Sequence, residues 1–189
     1  MTYALRQPAG SPGGGGARAR RPLCGLLCAA LSLAALLAAP PARAAPAEEA
    51  AVNATLNRLH EAASRADGAA YFALFAPEAV FLGTDAGERW SLGEFKAYAM
   101  PYFAKGKGWT YVPRSRHVQF SPKGDVAWFD EILDNASYGV CRGSGVLRKA
   151  GDAWLVCQYH LTIPVPNELA GAVVRMIRER PSPSPAPQK

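Results

Sequence analysis

The chain has 189 residues, with 21 Lys and Arg against 15 Asp and Glu for a net charge of +6, and only four Cys. That length suits one domain with tails. The positive charge lies in front: residues 1–44 hold Arg6, Arg18, Arg20, Arg21 and Arg43 and no acid, leaving 16 basic against 15 acidic residues from Ala45 onward. A body so nearly neutral offers no cationic stripe for phosphates, which excludes general nucleic-acid binding.

Leu23 to Ala39 is an uninterrupted small and apolar run, ended by Pro40 and Pro41, and Ala42-Arg43-Ala44 places small residues where a signal peptidase reads them. Residues 1–44 are read as a secretory signal cleaved after Ala44, touching the membrane only transiently. The alternative is an uncleaved anchor, since the run falls just short of the ~18 apolar residues that suggest a span. Arg20-Arg21-Pro22-Leu23 resembles a twin-arginine signal, but its flanks match poorly and the general secretory route is preferred. The mature chain is expected in the periplasm or outside the cell. Cys24 and Cys28 lie at or inside the start of the apolar run rather than after it, which argues against a lipoprotein. Cys141 and Cys157 remain, in two strands of one hairpin, offset by about 14–16 Å along the strand, too far for a disulfide. Two free, mostly buried thiols are expected.

After a short linker at 45–50, Val52, Leu56, Leu59 and Ala63 recur at helical spacing and predict an amphipathic first helix. Asp67 can cap a short second helix carrying Tyr71, Phe72, Leu74 and Phe75, ending before Pro77. Ala79 to Gly83 and Glu88 to Ser91 read as paired short strands around the turn Thr84-Asp85-Ala86-Gly87, followed by a third helix from Leu92 to Ala104. From Trp109 the pattern becomes an antiparallel meander of strands over 109–121, 124–134, 138–149 and 153–164. Asn167 can cap a closing helix in which Leu169, Val173, Met176 and Ile177 share one face. The tail from 181, PSPSPAPQK, is too rich in Pro to build a core and is read as disordered.

Helices followed by a long antiparallel sheet make an α+β layer fold. The strings GTDAGERW (83–90), AWFDE (127–131), RGSGVL (142–147) and QYHLTIPVPN (158–167) resemble a SnoaL-like domain of the nuclear transport factor 2-like superfamily, in a subgroup of stand-alone bacterial proteins. The resemblance spans about 50–168 and sets the domain at 51–180. It implies a cone-shaped, cystatin-like α+β barrel in which a curved antiparallel sheet wraps around the N-terminal helices and leaves a deep pocket. Superfamily members include polyketide cyclases, ketosteroid isomerase, scytalone dehydratase, limonene epoxide hydrolase and many non-catalytic binders, so the fold sets a pocket and the residues must supply the chemistry.

The strand over 125–134 is apolar on both faces and carries one acid on each, Asp130 with Val126, Trp128 and Ile132, Glu131 with Ala127, Phe129 and Leu133. Counting across the hairpin turns places Asp130 opposite Arg142 or Gly143, and that position opposite His160 or Leu161. Asp130 and His160 then meet in the pocket wall as a proton-transfer pair, either with Arg142 between them or leaning together over Gly143. A plain cross-strand ion pair and a core histidine are the competing reading. Glu131 is expected on the outer side, His60 toward solvent, and His117 on the face of Trp128. The resemblance implies a phenol donor at Tyr71, as in superfamily enzymes, and a pocket mouth near Arg89 and Trp90. Trp90, Trp128, Arg89, Arg142, Tyr159 and Thr162 are the candidate ligand contacts.

No HxxxH or CxxC follows the signal region, so neither a metal nor another cofactor is expected. Ser144 in RGSGV lacks the strand-to-helix setting of a hydrolase nucleophile. Three functions stay open: an exported pocket protein for a small, mostly apolar molecule; a cofactor-independent isomerase, cyclase or dehydratase using Asp130 and His160 with Tyr71; and an interaction module. The resemblance implies a homodimer through the outer sheet face, with Phe129 and Leu133 as contacts.

Overall fold

The computed structural model describes residues 46–180. The signal segment with its cleavage after Ala44, and the tail from 181, lie outside the described residues. Helix α1 (Pro46–Ser64) begins where the linker was expected, because Glu48 accepts hydrogen bonds from the Lys149 ammonium and the Trp154 indole and ties the first turn to the sheet. Asp67 caps α2 (Gly68–Phe72) by accepting from the Ala70 amide at 3.0 Å. Ser91 and Glu94 form a reciprocal capping box at the start of α3 (Leu92–Phe103). Among the described residues no helix is long and apolar enough to cross a membrane.

Strands β1 (Phe75–Leu82), β2 (Arg89–Ser91), β3 (Val112–Phe120), β4 (Val126–Asn135), β5 (Gly139–Ala150) and β6 (Ala153–Thr162) form one sheet in the order β2-β1-β6-β5-β4-β3. The meander from β3 to β6 is antiparallel as the sequence predicts, but β1 joins β6 in parallel, so the sheet is mixed. The expected cone-shaped barrel is corrected: the sheet is open, with β2 and β3 at opposite edges, and neither closes nor curls strongly. Closure requires the two edge strands to hydrogen-bond each other, and these two do not. Pro77, which has no N–H to donate, falls in the stretch of β1 where its register against β6 shifts.

The helices cover one face of this sheet, α3 against β1 and β2 and α1 against β6 and β3. Val52, Leu56, Leu59 and Ala63 are buried as their spacing requires, against Ala127, Phe129, Leu133, Leu147 and Val156 of the sheet. Phe129 and Leu133 therefore belong to the core and are unavailable as dimer contacts. Cys141 and Cys157 are both free, Cys141 buried and Cys157 half-buried. Cys157 is the extra residue of a bulge in β6: Leu147 pairs with Val156 and Val146 with Gln158. That bulge reverses the facing of everything after it, so Trp154 and Val156 point inward and so do Tyr159 and Leu161. The closing helix α4 (Ala170–Glu179), entered through a 3₁₀ turn at Asn167–Leu169, forms but does not close, since none of its residues is buried.

Candidate functional site

Between the helices and the covered sheet face lies a cavity of about 240 Å³. Its walls come from α1 (Leu59, His60), α2 (Tyr71), β1 (Phe81), β2 (Trp90), α3 (Phe95, Tyr98) and β6 (Tyr159, Leu161). Trp90 lies within 5° of parallel to Phe95 and 22° to Tyr98, so part of the wall is a layered aromatic surface.

Behind that wall sits Glu131, fully buried. Its Oε1 accepts from the Tyr159 hydroxyl at 2.9 Å and lies 2.8 Å from His60 Nε2; its Oε2 accepts from Arg116 Nε at 2.8 Å. Arg116 Nη2 stands 2.7 Å from the same Oε2 as an ion-pair contact without a hydrogen bond of its own. Arg116 Nη1 is held by the Asn53 backbone and side-chain oxygens and by Asn57 Oδ1. Asn53, Asn57 and His60 recur at helical spacing beside the buried stripe of α1, which is why one helix presents all three to β3 and β4. The bond from Tyr159 on β6 to Glu131 on β4 crosses over β5 at Gly143, the register partner of Glu131, where a Cβ would overlap the Tyr159 hydroxyl and come within 2.8 Å of Glu131 Oε1.

Burial opposes charge on Glu131, but the hydrogen bond and charge of His60 and the charge of Arg116 outweigh it and hold the carboxyl below its usual range. An ionised carboxylate only accepts, so His60 Nε2 carries a proton and donates it to Glu131. Burial first, then the charge of Glu131 and the hydrogen bond to it, push the Tyr159 hydroxyl well above its ordinary value, so it stays a donor. Burial likewise raises Tyr71, and Tyr111 is pushed up to about 12.

This sets a pH dependence. A carboxyl more acidic in the folded than in the unfolded chain contributes stability that is complete above its unfolded value, about 4.3, and is lost as the pH falls through the depressed one. Urea midpoints measured from roughly pH 5 down to pH 2 should decline, and Glu131→Gln should flatten the decline; an unchanged slope in that variant would remove Glu131 as its source.

Of the residues singled out from sequence, Tyr71, Trp90 and Tyr159 line the cavity. Asp130, Trp128, Arg142, His160, Thr162 and Arg89 do not, and their expected arrangement is corrected. Asp130 pairs with Ser144, and Ser144 with His160, on the uncovered face of the sheet, so their backbones lie two strand spacings, about 10 Å, apart across the sheet. Arg142 faces Ile132 rather than Asp130. Trp128 is 43% exposed there and donates to Gln119, Thr162 donates to the Arg142 carbonyl, and Arg89 is exposed in register with Leu82. His117 is opposite Asp130, on the face of Trp128 as expected. Glu131 points inward, not outward, and His60 faces the cavity and the sheet, not solvent. Arg116, Asn53 and Asn57 carried no signal read from the sequence beyond the helical spacing of the two Asn with His60.

Residues 52–166 match the SnoaL-like domain family. Among solved structures the chain is similar to an NTF2-like protein of unknown function from Pseudomonas putida KT2440, at 18% identity over 65% of this chain and 90% of that one, with a TM-score of 0.54. It is similar to a domain of unknown function with a cystatin-like fold from Nostoc punctiforme PCC 73102, at 17% identity over 71% and 88%, TM-score 0.56. A protein of unknown function from Pectobacterium atrosepticum SCRI1043 gives 18% identity over 64% and 93%, TM-score 0.52. At these identities the likeness is one of fold. No curated protein matches.

Proposed function

The chain belongs to the SnoaL-like domain family, and from that premise we propose that it is an exported protein whose cavity binds a small, mostly apolar molecule against His60. One observation carries the reading. A buried carboxylate, itself anchored by Arg116, holds the imidazole of His60 at the wall of an otherwise aromatic cavity. A volume of about 240 Å³ lies below the ~300–1,000 Å³ of ordinary drug-sized sites, so the ligand is small. The commitment of His60 Nε2 to Glu131 also favours a second reading, in which Nδ1 takes a proton from the ligand as a cofactor-independent isomerase, cyclase or dehydratase would require. The acid–imidazole pair in that reading is Glu131 and His60, with Tyr71 as a neutral hydroxyl on the same cavity.

Native mass spectrometry of the protein purified from its own host tests both parts. The expected result is a chain beginning at Ala45 that carries a small organic molecule, and loss of that molecule in His60→Leu while far-ultraviolet circular dichroism shows that the variant still folds. An empty protein whose tryptophan fluorescence is indifferent to small aromatic and aliphatic probes would overturn the binding reading, and an intact N-terminus would overturn cleavage after Ala44. If the captured molecule is returned unchanged by the wild-type chain over hours at neutral pH, the proton-transfer reading falls and the binder remains.

A further inference from the structure

The charge balance of the cavity wall is uneven. Nine of its sixteen lining side chains are aromatic, and no Lys or Arg is among them. The negative charge of Glu131 is matched behind the wall by Arg116. Glu88 is different: it lines the cavity and, among the described residues, no cationic side chain pairs with it. Arg89, next in sequence, belongs to the opposite face of the sheet.

Glu88 is also held in place. Its Oε2 accepts from the Asp85 amide at 3.2 Å, and it lies against Gly83, where any Cβ would overlap that oxygen. The turn is closed by the Gly83 amide on the Glu88 carbonyl at 2.8 Å and by the Glu88 amide on the Asp85 carbonyl at 2.9 Å. The string GTDAGERW thus folds a carboxylate back toward the cavity beside Trp90 and Tyr98. Burial, then Tyr102 and the charge of Glu88, raise the Tyr98 hydroxyl.

Aromatic faces carry negative partial charge and attract cations, best at Trp, and a carboxylate in a low-dielectric cleft focuses the same sign of field. We propose that the ligand is a small organic cation, an alkylated or quaternary ammonium, with its charge set between Glu88 and the layered rings of Trp90 and Tyr98. The proposal rests on the reading of this cavity as a binding site and names the class of molecule it takes. An apolar ammonium satisfies both features of the wall: its methyl or methylene surface fits the aromatic lining, and its charge needs no hydrogen-bond donor or acceptor in return.

The test compares two probes of one shape, choline and 3,3-dimethylbutan-1-ol, which differ in a nitrogen cation against a neutral carbon. Calorimetry and tryptophan fluorescence on the full chain should give choline at least about tenfold tighter binding, a preference that shrinks to about threefold or less in Glu88→Gln and weakens as salt is raised. Equal or better binding of the neutral alcohol would overturn the cation and leave the apolar cavity standing. Binding of neither, with no perturbation of cavity tryptophans, would overturn both. A preference unchanged by Glu88→Gln would overturn the assignment of Glu88. Should that variant not fold, a choline affinity indifferent to salt in the unmutated chain has the same force.

Discussion

Glu131→Ala is expected to cost the domain roughly 3–5 kcal/mol, measured by urea unfolding at neutral pH. The loss has three parts. Arg116, only 8% exposed at its side chain, is left as an uncompensated cation. The Tyr159 hydroxyl loses its buried acceptor, and His60 loses the group that fixes its ring. Small domains have about 5–15 kcal/mol of stability in all, so the variant should be marginal at room temperature. Much of the cost is the stranded charge rather than the worth of the pair, which makes a sharper expectation: Glu131→Leu combined with Arg116→Met should recover at least half of the loss. A single substitution costing under about 1 kcal/mol, or a double variant no better than the single, would mean that water reaches Arg116 and that the carboxylate is not the anchor of α1 to the sheet.

The second large effect is expected at the two glycines of RGSGVL. A Cβ at Gly145 would overlap the backbone carbonyl of Gln158 and come within 2.9 Å of Phe129, while at Gly143 it would meet the ends of the Tyr159 and Glu131 side chains. Side chains can yield by rotation and a paired backbone cannot. Gly145→Ala should therefore cost more than Gly143→Ala, both within the ~1–3 kcal/mol typical of overpacking, and the larger loss should come with altered pairing next to the Cys157 bulge. Gly143→Ala has a separate signature: it should push the Tyr159 hydroxyl off Glu131 and change the ring signals of His60 in nuclear magnetic resonance. Reversal of the stability order, or His60 signals untouched in Gly143→Ala, would show that the hydrogen bond over β5 is not what holds the site.

Those glycines show how far the site could be read ahead of the structure. Gly143 reads from the sequence as a place where side chains from neighbouring strands lean together, and counting across the turns gives that place to Asp130 and His160. The residues that meet there are Glu131 and Tyr159. Two facts produced the difference. The strand of Asp130 and Glu131 is apolar on both faces, so alternation alone could not say which acid points inward. In β6, the extra residue at Cys157 turns the facing over, so that counting from the hairpin puts His160 inside and the fold puts it outside. His60 lies on the polar side of α1, and such a side, which also carries Asn53 and Asn57, reads the same from the sequence whether it meets water or a buried carboxylate and guanidinium.

The sequence by itself determined the family, the order of helices and strands, the separate charge of residues 1–44, the apolar stripe of α1 and the antiparallel meander. These rest on local spacing, on turn residues and on motif strings, all of which are properties of neighbouring positions. Only the tertiary structure decided that the sheet stays open, that β1 runs parallel to β6, which of two adjacent acids is buried, and that its partners come from positions 60, 116 and 159. The first two are pairings between strands distant in sequence; the last two depend on which face the helices cover and on one bulge in one strand, since a register shift of a single residue exchanges every inward side chain for an outward one.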